Sequence, residues 1–247
     1  MTEERYGGEL YWVMADAHLS EVDRDTSSLF TDFLDRFERE GPRKLVLLGD
    51  LFSSWIAIDS ILSGYEKEIL KRLYSLRMEG KELSFVPGNR DYFAESLGFR
   101  PFNFTGEVLR CNLPSGRTIQ FEHGDRINLD DRKYLAWRSI SRTGAVKALV
   151  RALPARAAEK VRMKLESRLA ETNLDYRIDL PLEHLEKYAA ELREEGVDML
   201  VLGHFHKDLR LALAGVDIRI LPRFAPSGSF CRVTGDEEIR IEKMLGS

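Results

Sequence analysis

The sequence predicts an α/β fold, because short apolar runs alternate with amphipathic stretches along most of the chain. Apolar runs bounded by glycine or proline suit buried strands better than helices. The predicted strands cover residues 10–15, 44–48, 83–86, 118–121 and 199–202. Helical patterns lie between them at residues 26–40, 59–79 and 182–194. Ligands bind beyond the carboxyl ends of strands in such sheets, so we expect the five strand ends to face one site.

After residue 208 the apolar residues follow a different rhythm. They alternate with polar residues at 209–213 and 216–220, and again at Ile239 and Ile241. A period of two is typical of antiparallel strands with one covered face. We expect these strands to complete a second sheet.

The composition is that of a globular protein. Hydrophobic residues make up 43% and charged residues 32% of the 247 residues, which is too apolar for a disordered chain. Cys111 and Cys231 are too few for a disulfide framework, which favours a reducing compartment. No apolar run reaches the length of about 18 residues that crosses a bilayer, and Thr2, Glu3 and Glu4 are unlike a secretion signal. We therefore expect a cytoplasmic protein with a single domain over residues 1–247.

The net charge of −4 conceals a strongly basic segment. Residues 132–168 contain eleven Lys or Arg and two Glu, or +9, which leaves −13 for the rest of the chain. Two helical apolar stripes run through this segment, separated by Pro154. We interpret it as a basic helical cap inserted at about residues 127–180. An anionic membrane surface or a phospholipid-like substrate is the partner that this combination favours.

Two other readings of the basic segment remain open. Nucleic acid would also attract its charge, but the segment lacks an aromatic stacking platform, so we expect no nucleic-acid partner. A helical pair packed on its own apolar sides and otherwise solvated would need no partner at all.

Residues with metal-binding side chains follow the predicted strands. Asp16 and His18 project to the same side of an extended backbone, so a carboxylate and an imidazole could share an ion. Gly49 precedes Asp50 at the next strand end, and a carboxylate can bridge two cations about 3.5–4 Å apart. Asn89 adds a hard amide oxygen that suits Mn²⁺ or Mg²⁺.

Three imidazoles complete the pattern. His123 follows the fourth predicted strand, and His204 and His206 follow the fifth. A single histidine at a strand end is more often structural than a ligand. All of these residues together, at five strand ends, predict a centre for two divalent metal ions. The remaining histidine, His184, lies in a charged helical pattern and is expected to be solvated.

This combination resembles the full signature of the calcineurin-like metallophosphoesterases. It is carried by Asp16-Ala17-His18, Gly49-Asp50, Gly88-Asn89, His123-Gly124 and Gly203-His204-Phe205-His206. The resemblance implies a four-layer α/β/β/α sandwich with an inserted helical cap. It also implies one ion held by Asp16, His18, Asp50 and His206, and a second held by Asp50, Asn89, His123 and His204. The implied reaction is in-line attack on phosphorus by a hydroxide generated at the ions, without a Ser or Cys nucleophile.

Arg90 stands where most members of that superfamily carry a histidine. A guanidinium practically cannot donate a proton to a leaving group, but its fixed fork of donors suits phosphate oxygens. A pyrophosphate needs less acid assistance, because the phosphate that leaves is a stable anion. A surface arginine without a role in catalysis is the alternative.

The residues around Arg90 resemble the UDP-2,3-diacylglucosamine diphosphatases of lipid A biosynthesis. The likeness is carried by Gly88-Asn89-Arg90-Asp91, Gly49-Asp50-Leu51-Phe52 with Trp55-Ile56, His123-Gly124-Asp125 through Asp130-Asp131 and Tyr134, and the basic insertion ending near Thr172-Asn173. In that family the insertion caps the site and holds the acyl chains. The resemblance implies substrate contacts at Asn89, Arg90, Asp131, Tyr134 and Asn173. The chain departs from the family pattern at Ser53, Tyr176 and Arg223, where recognition of the nucleotide or of glucosamine is expected.

The resemblance thus implies a peripheral inner-membrane enzyme that uses Mn²⁺ to split UDP-2,3-diacylglucosamine into UMP and 2,3-diacylglucosamine 1-phosphate. Its expected catalytic residues are Asp50, Asn89, Arg90, His123 and His204. One alternative is a phosphodiesterase for another lipid pyrophosphate, a cyclic nucleotide or nucleic acid. A second is a non-catalytic membrane-surface scaffold, although a scaffold has no reason to keep seven costly polar groups together. The oligomeric state is left open.

Overall fold

The computed structural model describes residues 8–154 and 179–244, together with residues 157, 160, 161 and 164. In chain order the strands are β1 (Glu9–Met14), β2 (Lys44–Leu47), β3 (Trp55–Ile56), β4 (Glu82–Phe85), β5 (Asp91–Tyr92), β6 (Phe104–Thr105), β7 (Val108–Asn112), β8 (Thr118–Glu122), β9 (Met199–Leu202), β10 (Leu209–Leu213), β11 (Val216–Ile220), β12 (Phe230–Thr234) and β13 (Ile239–Glu242). The helices are α1 (Arg24–Glu40), α2 (Gly64–Met78), α3 (Arg132–Ser141), α4 (Gly144–Arg151) and α5 (Leu182–Glu194), and a 3₁₀ turn covers Ala94–Ser96.

The larger strands form two sheets. The first has the spatial order β13-β12-β1-β2-β4-β6, in which β1, β2, β4 and β6 run parallel. The second has the order β10-β11-β9-β8-β7, with a parallel centre and an antiparallel strand at each edge. Parallel strands bring their carboxyl ends to one edge of a sheet, so the loops that follow β1, β2, β4, β8 and β9 can meet.

Apolar side chains hold the layers together. Between the sheets, Val13 and Val46 of the first sheet belong to the same buried cluster as Phe121 and Val201 of the second. On the outer face of the first sheet, residues of α1 and α2 pack in a second cluster around Trp12. On the outer face of the second sheet, residues of α5 pack against β9 and β11. This is a four-layer α/β/β/α sandwich, so the predicted fold is confirmed.

Capping residues decide where the first two helices begin. Asp23 accepts a hydrogen bond from the Thr26 N–H at 3.0 Å at the start of α1. Ser63 and Glu66 form a reciprocal capping box at the start of α2, with bonds of 3.1 and 2.7 Å. The predicted start of this helix at residue 59 was therefore too early, because the capping box satisfies the first free N–H groups only from Ser63 onward.

The last strand differs from its prediction. β10 and β11 do lie in the second sheet, but β13 joins the first sheet through β12. The edge of β1 that does not pair with β2 is free to receive β12, and β13 then follows β12 as an antiparallel neighbour. Alternation indicates a strand with one covered face but not which sheet supplies the partner, so the prediction that Ile239 and Ile241 complete the second sheet was wrong.

The described part of the basic segment contains α3 and α4. Val146, Val150 and Leu153 of this segment pack on a buried cluster that includes Ile56 and Tyr92. These three residues of the first apolar stripe are therefore covered by the body of the protein, whereas Leu149 of the same stripe is 65% exposed. The proposed extent of the cap, residues 127–180 within a single domain, stays a prediction, and much of its second half lies outside the described residues.

Candidate metal centre

Seven predicted ligands are brought together at the carboxyl ends of five strands. Asp16 and His18 follow β1, Asp50 follows β2, Asn89 follows β4, His123 follows β8, and His204 and His206 follow β9. The loops are joined to one another by backbone hydrogen bonds. Asp16 N–H donates to the Gly49 carbonyl at 3.1 Å, and His18 N–H donates to the Asp50 carbonyl at 2.9 Å.

The backbone at these positions is strained. Five of the seven residues have a positive φ, between 49° and 65°: Asp16, His18, Asp50, His204 and His206. Residues other than glycine seldom adopt this conformation, which costs about 1–3 kcal/mol each and occurs preferentially at functional sites. The surrounding fold therefore forces these side chains into a common space.

Two glycines allow the loops to approach closely. A Cβ atom on Gly49, whose φ is +79°, would overlap the imidazole of His123. A Cβ atom on Gly88 would overlap both the Asp50 carboxylate and His123. A side chain at either position would have to displace a candidate ligand, which explains why glycine precedes Asp50 and Asn89.

Asp16, His18 and His206 form the first of two clusters that could hold a metal ion. The His206 Nε2 lies 3.3 Å from Asp16 Oδ1, and the His18 Nε2 lies 3.9 Å from the same oxygen. The two imidazole Nε2 atoms are 3.4 Å apart. Three ligand atoms thus surround a space of the size that a divalent cation needs.

Asp16, Asp50 and His123 form the second cluster. The His123 Nε2 lies 3.7 Å from Asp50 Oδ1 and 4.0 Å from Asp16 Oδ1. The amide oxygen of Asn89 lies 3.1 Å from His123 Nε2 and 3.0 Å from His204 Nδ1. The carboxylate common to both clusters is Asp16, whereas the resemblance in sequence implies Asp50 as the shared ligand.

The donor set fits divalent cations. Within the described residues, Asp16 Oδ1 and His18 Nδ1 are buried without a hydrogen-bond partner, and a buried polar atom left in this way is costly. Asp16 and Asp50 are both almost completely buried, and two neighbouring carboxylates need positive charge to be stable there. Carboxylate, amide and imidazole donors together suit Mn²⁺, Mg²⁺, Fe²⁺ or Zn²⁺.

Burial and neighbouring charges together set the charge of the imidazoles. It lowers the pKa of His18 to about 3, and burial with the nearby His123 lowers the pKa of His204 to about 4. Both rings are therefore neutral at pH 7, which is the form that binds a metal ion. Burial also opposes the charge of His123, but the Asp50 and Asp16 carboxylates outweigh it and raise the pKa of His123 to about 9.

Neighbouring groups orient the candidate ligands. The His123 Nδ1 lies 3.0 Å from the Leu48 carbonyl and donates its proton to it, so Nε2 is the nitrogen that would bind a metal ion in place of a proton. The His204 N–H donates to Asp16 Oδ2 at 2.9 Å. Asp91 accepts from the N–H groups of Asp50 at 2.7 Å and Gly88 at 2.8 Å. Sequence reasoning assigned no role to Asp91, because one of its partners, the Asp50 N–H, belongs to a loop 41 residues away in the chain.

The cap reaches the centre through buried polar contacts that the sequence did not predict. Asp125 lies two residues after His123, and its Oδ2 accepts from Arg138 Nε at 2.8 Å and from the Tyr134 hydroxyl. Arg142 donates to the Gly88 carbonyl, next to Asn89. The sequence signal for these contacts was the density of arginines in the segment, which does not distinguish one arginine from another.

Four of the five expected substrate contacts lie within the described residues, and each of these four has a local partner. Arg90 donates through Nη1 to the Ser53 carbonyl at 3.0 Å, and its Nε lies 3.4 Å from Asp50 Oδ2. Asp131 is the N-cap of α3 and accepts from the Tyr134 N–H at 3.0 Å. Asn173 lies outside the described residues. His184, on α5, lies outside the centre and near Asp130, with a side chain only 18% exposed, so its prediction as a solvated residue was wrong.

Comparisons with known proteins agree with this geometry. The sequence profile of the family described as calcineurin-like phosphoesterase matches residues 10–208. A protein of Chromohalobacter salexigens named UDP-2,3-diacylglucosamine hydrolase is 30% identical over 204 residues, which cover 79% of each chain. A protein of the same name from Haemophilus influenzae is 30% identical over 210 residues, covering 80% of this chain and 83% of its own.

Two solved structures support the fold alone. A hypothetical protein of Pyrococcus horikoshii superposes with a TM-score of 0.52 at 10% identity, over 96% of this chain and 89% of its own. An archaeal phosphodiesterase superposes with a TM-score of 0.50 at 11% identity, over 95% of this chain and 99% of its own. The sandwich is therefore shared well beyond the range of sequence similarity.

Proposed function

The chain belongs to the calcineurin-like phosphoesterases, which are metal-dependent hydrolases, and from this premise we propose that it hydrolyses the pyrophosphate bond of UDP-2,3-diacylglucosamine. The products are UMP and 2,3-diacylglucosamine 1-phosphate. The relatives that carry this name match along most of the chain. We further propose that the seven residues at the strand ends hold two ions of Mn²⁺.

The observation that carries this proposal is the contact between the basic helix α3 and the centre. Arg138 pairs with Asp125 beside His123, and Arg142 donates to Gly88 beside Asn89. A basic helix that exposes Trp137 and Ile140 thus lies next to a candidate dinuclear site. A substrate that joins a pyrophosphate to an acylated sugar matches both parts, because the anion suits the metal centre and the acyl chains suit an apolar cover.

The chain's own residues suit a reaction with a stable leaving group. Two bound cations would lower the pKa of water and stabilise charge on the phosphate oxygens. Arg90 is held between Asp50 and the Ser53 carbonyl, so its guanidinium is fixed beside the centre. A guanidinium stays charged at neutral pH and stabilises negative charge without releasing a proton. Attack on either phosphorus expels a phosphate that is a stable anion, UMP or the acylated sugar 1-phosphate, so the reaction does not require an acid at this position.

Release of UMP tests the proposal. Purified protein is incubated with UDP-2,3-diacylglucosamine with and without Mn²⁺, and UMP is quantified by chromatography. Wild type is expected to release UMP only with the metal. In Asn89→Ala the rate is expected to fall at least about a hundredfold, because several kcal/mol of charge stabilisation depend on complete coordination.

The matched control is Asn112→Ala, which removes an exposed amide at the end of β7 and should retain the wild-type rate. If wild type bound Mn²⁺ but left this substrate intact while cleaving another phosphodiester, the proposed substrate would be wrong.

The cap also supports association with an anionic membrane surface. Trp137, Ile140 and Leu149 are 52%, 60% and 65% exposed, and the neighbouring Arg132 and Lys133 are exposed as well. Within the described residues no helix is long and apolar enough to cross a bilayer. We therefore propose that the protein lies on the surface of the membrane through these side chains.

Vesicle binding measures this association. The double variant Trp137→Ser/Ile140→Ser is expected to bind anionic vesicles about thirtyfold more weakly, because partial burial of each side chain contributes roughly 1 kcal/mol. Met78→Ser, at an equally exposed position on α2, is expected to bind like wild type. The affinities of the double variant and of Met78→Ser for vesicles are measured by sedimentation at two salt concentrations. An equal loss of vesicle affinity in the double variant and in Met78→Ser would show that the cap does not make the membrane contact.

A further inference from the structure

The carbonyl group of Gly88 is a point at which the cap contacts a loop of the candidate metal centre. Arg142, the C-cap residue of α3, donates to this carbonyl through Nη2. Gly88 immediately precedes Asn89, so the bond restrains the peptide group that joins these two residues. Because the donor carries a charge, the bond is stronger than one between neutral groups.

The backbone of Gly88 depends on such restraints. Glycine has the widest choice of conformations, and a side chain is excluded here because a Cβ atom would overlap Asp50 and His123. The Gly88 N–H donates to Asp91 Oδ2 at 2.8 Å. In the described part of the chain, the Gly88 carbonyl accepts one further bond, from the Asp91 N–H, with a long distance of 3.4 Å. The guanidinium is therefore the stronger restraint on the carbonyl.

The guanidinium of Arg142 is itself held in place. It lies at the junction of two helices that are both fixed to the body, α3 through the pair of Arg138 and Asp125 and α4 through apolar side chains that pack on the cluster containing Tyr92. The Arg142 Cζ lies 5.6 Å from the centre of the Tyr92 ring, within the range of a cation–π contact. The position of this donor is thus set by the position of the cap.

Asn89 is the candidate ligand that these contacts orient. Its amide oxygen lies 3.1 Å from His123 Nε2 and 3.0 Å from His204 Nδ1, so it points into the centre. On its other side, the Arg90 N–H donates to Asp50 Oδ1 at 2.8 Å. The two peptide groups that flank Asn89 are therefore bonded, one to the cap and one to a second candidate ligand. A rotation of either peptide group would move the amide oxygen out of place.

The contacts of the cap lie on one side of the centre. Asn89 follows β4 and His123 follows β8, and α3 bonds to both of these loops. The cluster of Asp16, His18 and His206 is formed by the loops that follow β1 and β9 instead. A change in the position of the cap should therefore affect the cluster that includes His123 more than the cluster that includes His18.

Resting on the two-ion centre of the proposed function, we infer that Arg142 is a positioning residue for Asn89 and, through it, for one ion of the pair. Binding of this ion depends on the position of the cap, whereas the ion between His18 and His206 does not require Arg142. Coupling between two binding equilibria is reciprocal, so the ion beside Asn89 also stabilises the docked position of the cap.

Calorimetric titration with Mn²⁺ tests this inference without any substrate. Arg142→Met removes the donor and keeps an apolar stem. Wild type should bind two ions, and in Arg142→Met one of them should bind about tenfold to a hundredfold more weakly, as is usual for residues that orient metal ligands. The other ion should keep its affinity, which also shows that the variant is folded. Arg142→Lys should recover part of the loss, because an ammonium can donate to the same carbonyl.

Arg151→Met is the matched control. It removes an exposed arginine of α4 that donates to the Ser96 carbonyl at 3.4 Å, so it also deletes a bond between the cap and a backbone carbonyl of the body. This variant should bind both ions like wild type. Unchanged affinity for both ions in Arg142→Met, or equal weakening in Arg142→Met and Arg151→Met, would overturn the inference. A single ion in wild type would overturn the two-ion centre as well.

Hydrolysis of UDP-2,3-diacylglucosamine separates a positioning role from a substrate contact. In Arg142→Met kcat should be low when Mn²⁺ is limiting and should approach the wild-type value when Mn²⁺ exceeds the weakened dissociation constant, with KM unchanged. A raised KM that excess Mn²⁺ did not correct would show that Arg142 contacts the substrate, and would overturn the inference. If wild type does not cleave this substrate but the calorimetric difference is found, the positioning role stands and the proposed substrate is wrong.

Discussion

Asp50→Asn is expected to lower kcat by at least about a thousandfold. Asp50 lies between the His123 imidazole, 3.7 Å away, and the Arg90 guanidinium, 3.4 Å away, and it is almost completely buried. The amide has the same shape but removes a negative charge from the candidate ligand set. A thousandfold lower kcat corresponds to a loss of about 4 kcal/mol of transition-state stabilisation. Metal ions supply several kcal/mol of such stabilisation, so a loss of this size is expected when a ligand is changed.

Metal-dependent stability gives a second measure of the same change. A ligand at a hundredfold excess over its dissociation constant stabilises a folded protein by about 2.7 kcal/mol. Mn²⁺ should therefore raise the melting temperature of wild type and of Asp32→Asn, which alters an exposed carboxylate on α1. It should have little effect on Asp50→Asn. If Asp50→Asn kept both the metal-dependent rise in melting temperature and a kcat within tenfold of wild type, Asp50 would not be a metal ligand.

Asp125→Ala is expected to lower the free energy of unfolding by about 3–5 kcal/mol. The side chain of Asp125 is 3% exposed and that of its partner Arg138 is 11% exposed. The Arg138 Nε lies 2.8 Å from Asp125 Oδ2. Removal of one member of a buried pair leaves the other charge without compensation, which is far more costly than the pair itself is favourable. The same change should loosen the cap from the metal centre, because Tyr134 also bonds to Asp125.

Glu107→Ala is the matched control, since Glu107 pairs with the same arginine at 2.8 Å but is 46% exposed. Exposed ion pairs contribute about 0–1 kcal/mol, so this variant should unfold nearly like wild type. Denaturant titrations compare Asp125→Ala with Glu107→Ala, and together with Arg138→Leu and Asp125→Ala/Arg138→Leu they measure the coupling between the two buried charges. Equal losses in Asp125→Ala and Glu107→Ala would contradict the expected difference.

The pH dependence of this contribution follows from the charge of Asp125. Burial opposes its ionisation, but the positive charges of His123 and Arg138 outweigh burial and hold its pKa well below the ordinary value of 3.8. A carboxyl with a lowered pKa stabilises the folded state fully above its ordinary pKa, and the contribution is lost as the pH falls toward the lowered value. The difference between wild type and Asp125→Ala should therefore persist from neutral pH down to about pH 4.

Local sequence patterns were sufficient to predict the central strands of the protein. The apolar runs before Asp16, Asp50 and Asn89 became β1, β2 and β4, because a short run bounded by glycine or proline has few other stable forms. The convergence of the candidate ligands could be predicted for the same reason, since parallel strands end at one edge of a sheet. Both inferences depend on residues close together in the chain.

Contacts between distant segments decided the rest. Alternation predicted a strand at Ile239 and Ile241 but not that β12 would pair with the free edge of β1 and carry β13 into the first sheet. The basic composition predicted a cationic cap but not that Arg138 and Arg142 would be the arginines that reach the centre. Pairing partners in space are set by the packing of whole layers, which no single segment encodes.

By itself the sequence determined the α/β class, the order of the strands along the chain and the residue types at their ends. The periodicity of apolar residues, the placement of glycine and the donor chemistry of side chains can each be read from a few neighbouring residues. Only the tertiary structure decided that Asp91 bonds to the Asp50 loop, that Asp125 joins the centre to the cap, and that Arg142 donates to the Gly88 carbonyl. Each of these contacts joins two different loops or elements, 13 to 54 residues apart in the chain, and burial between the layers requires each polar group to find its partner there.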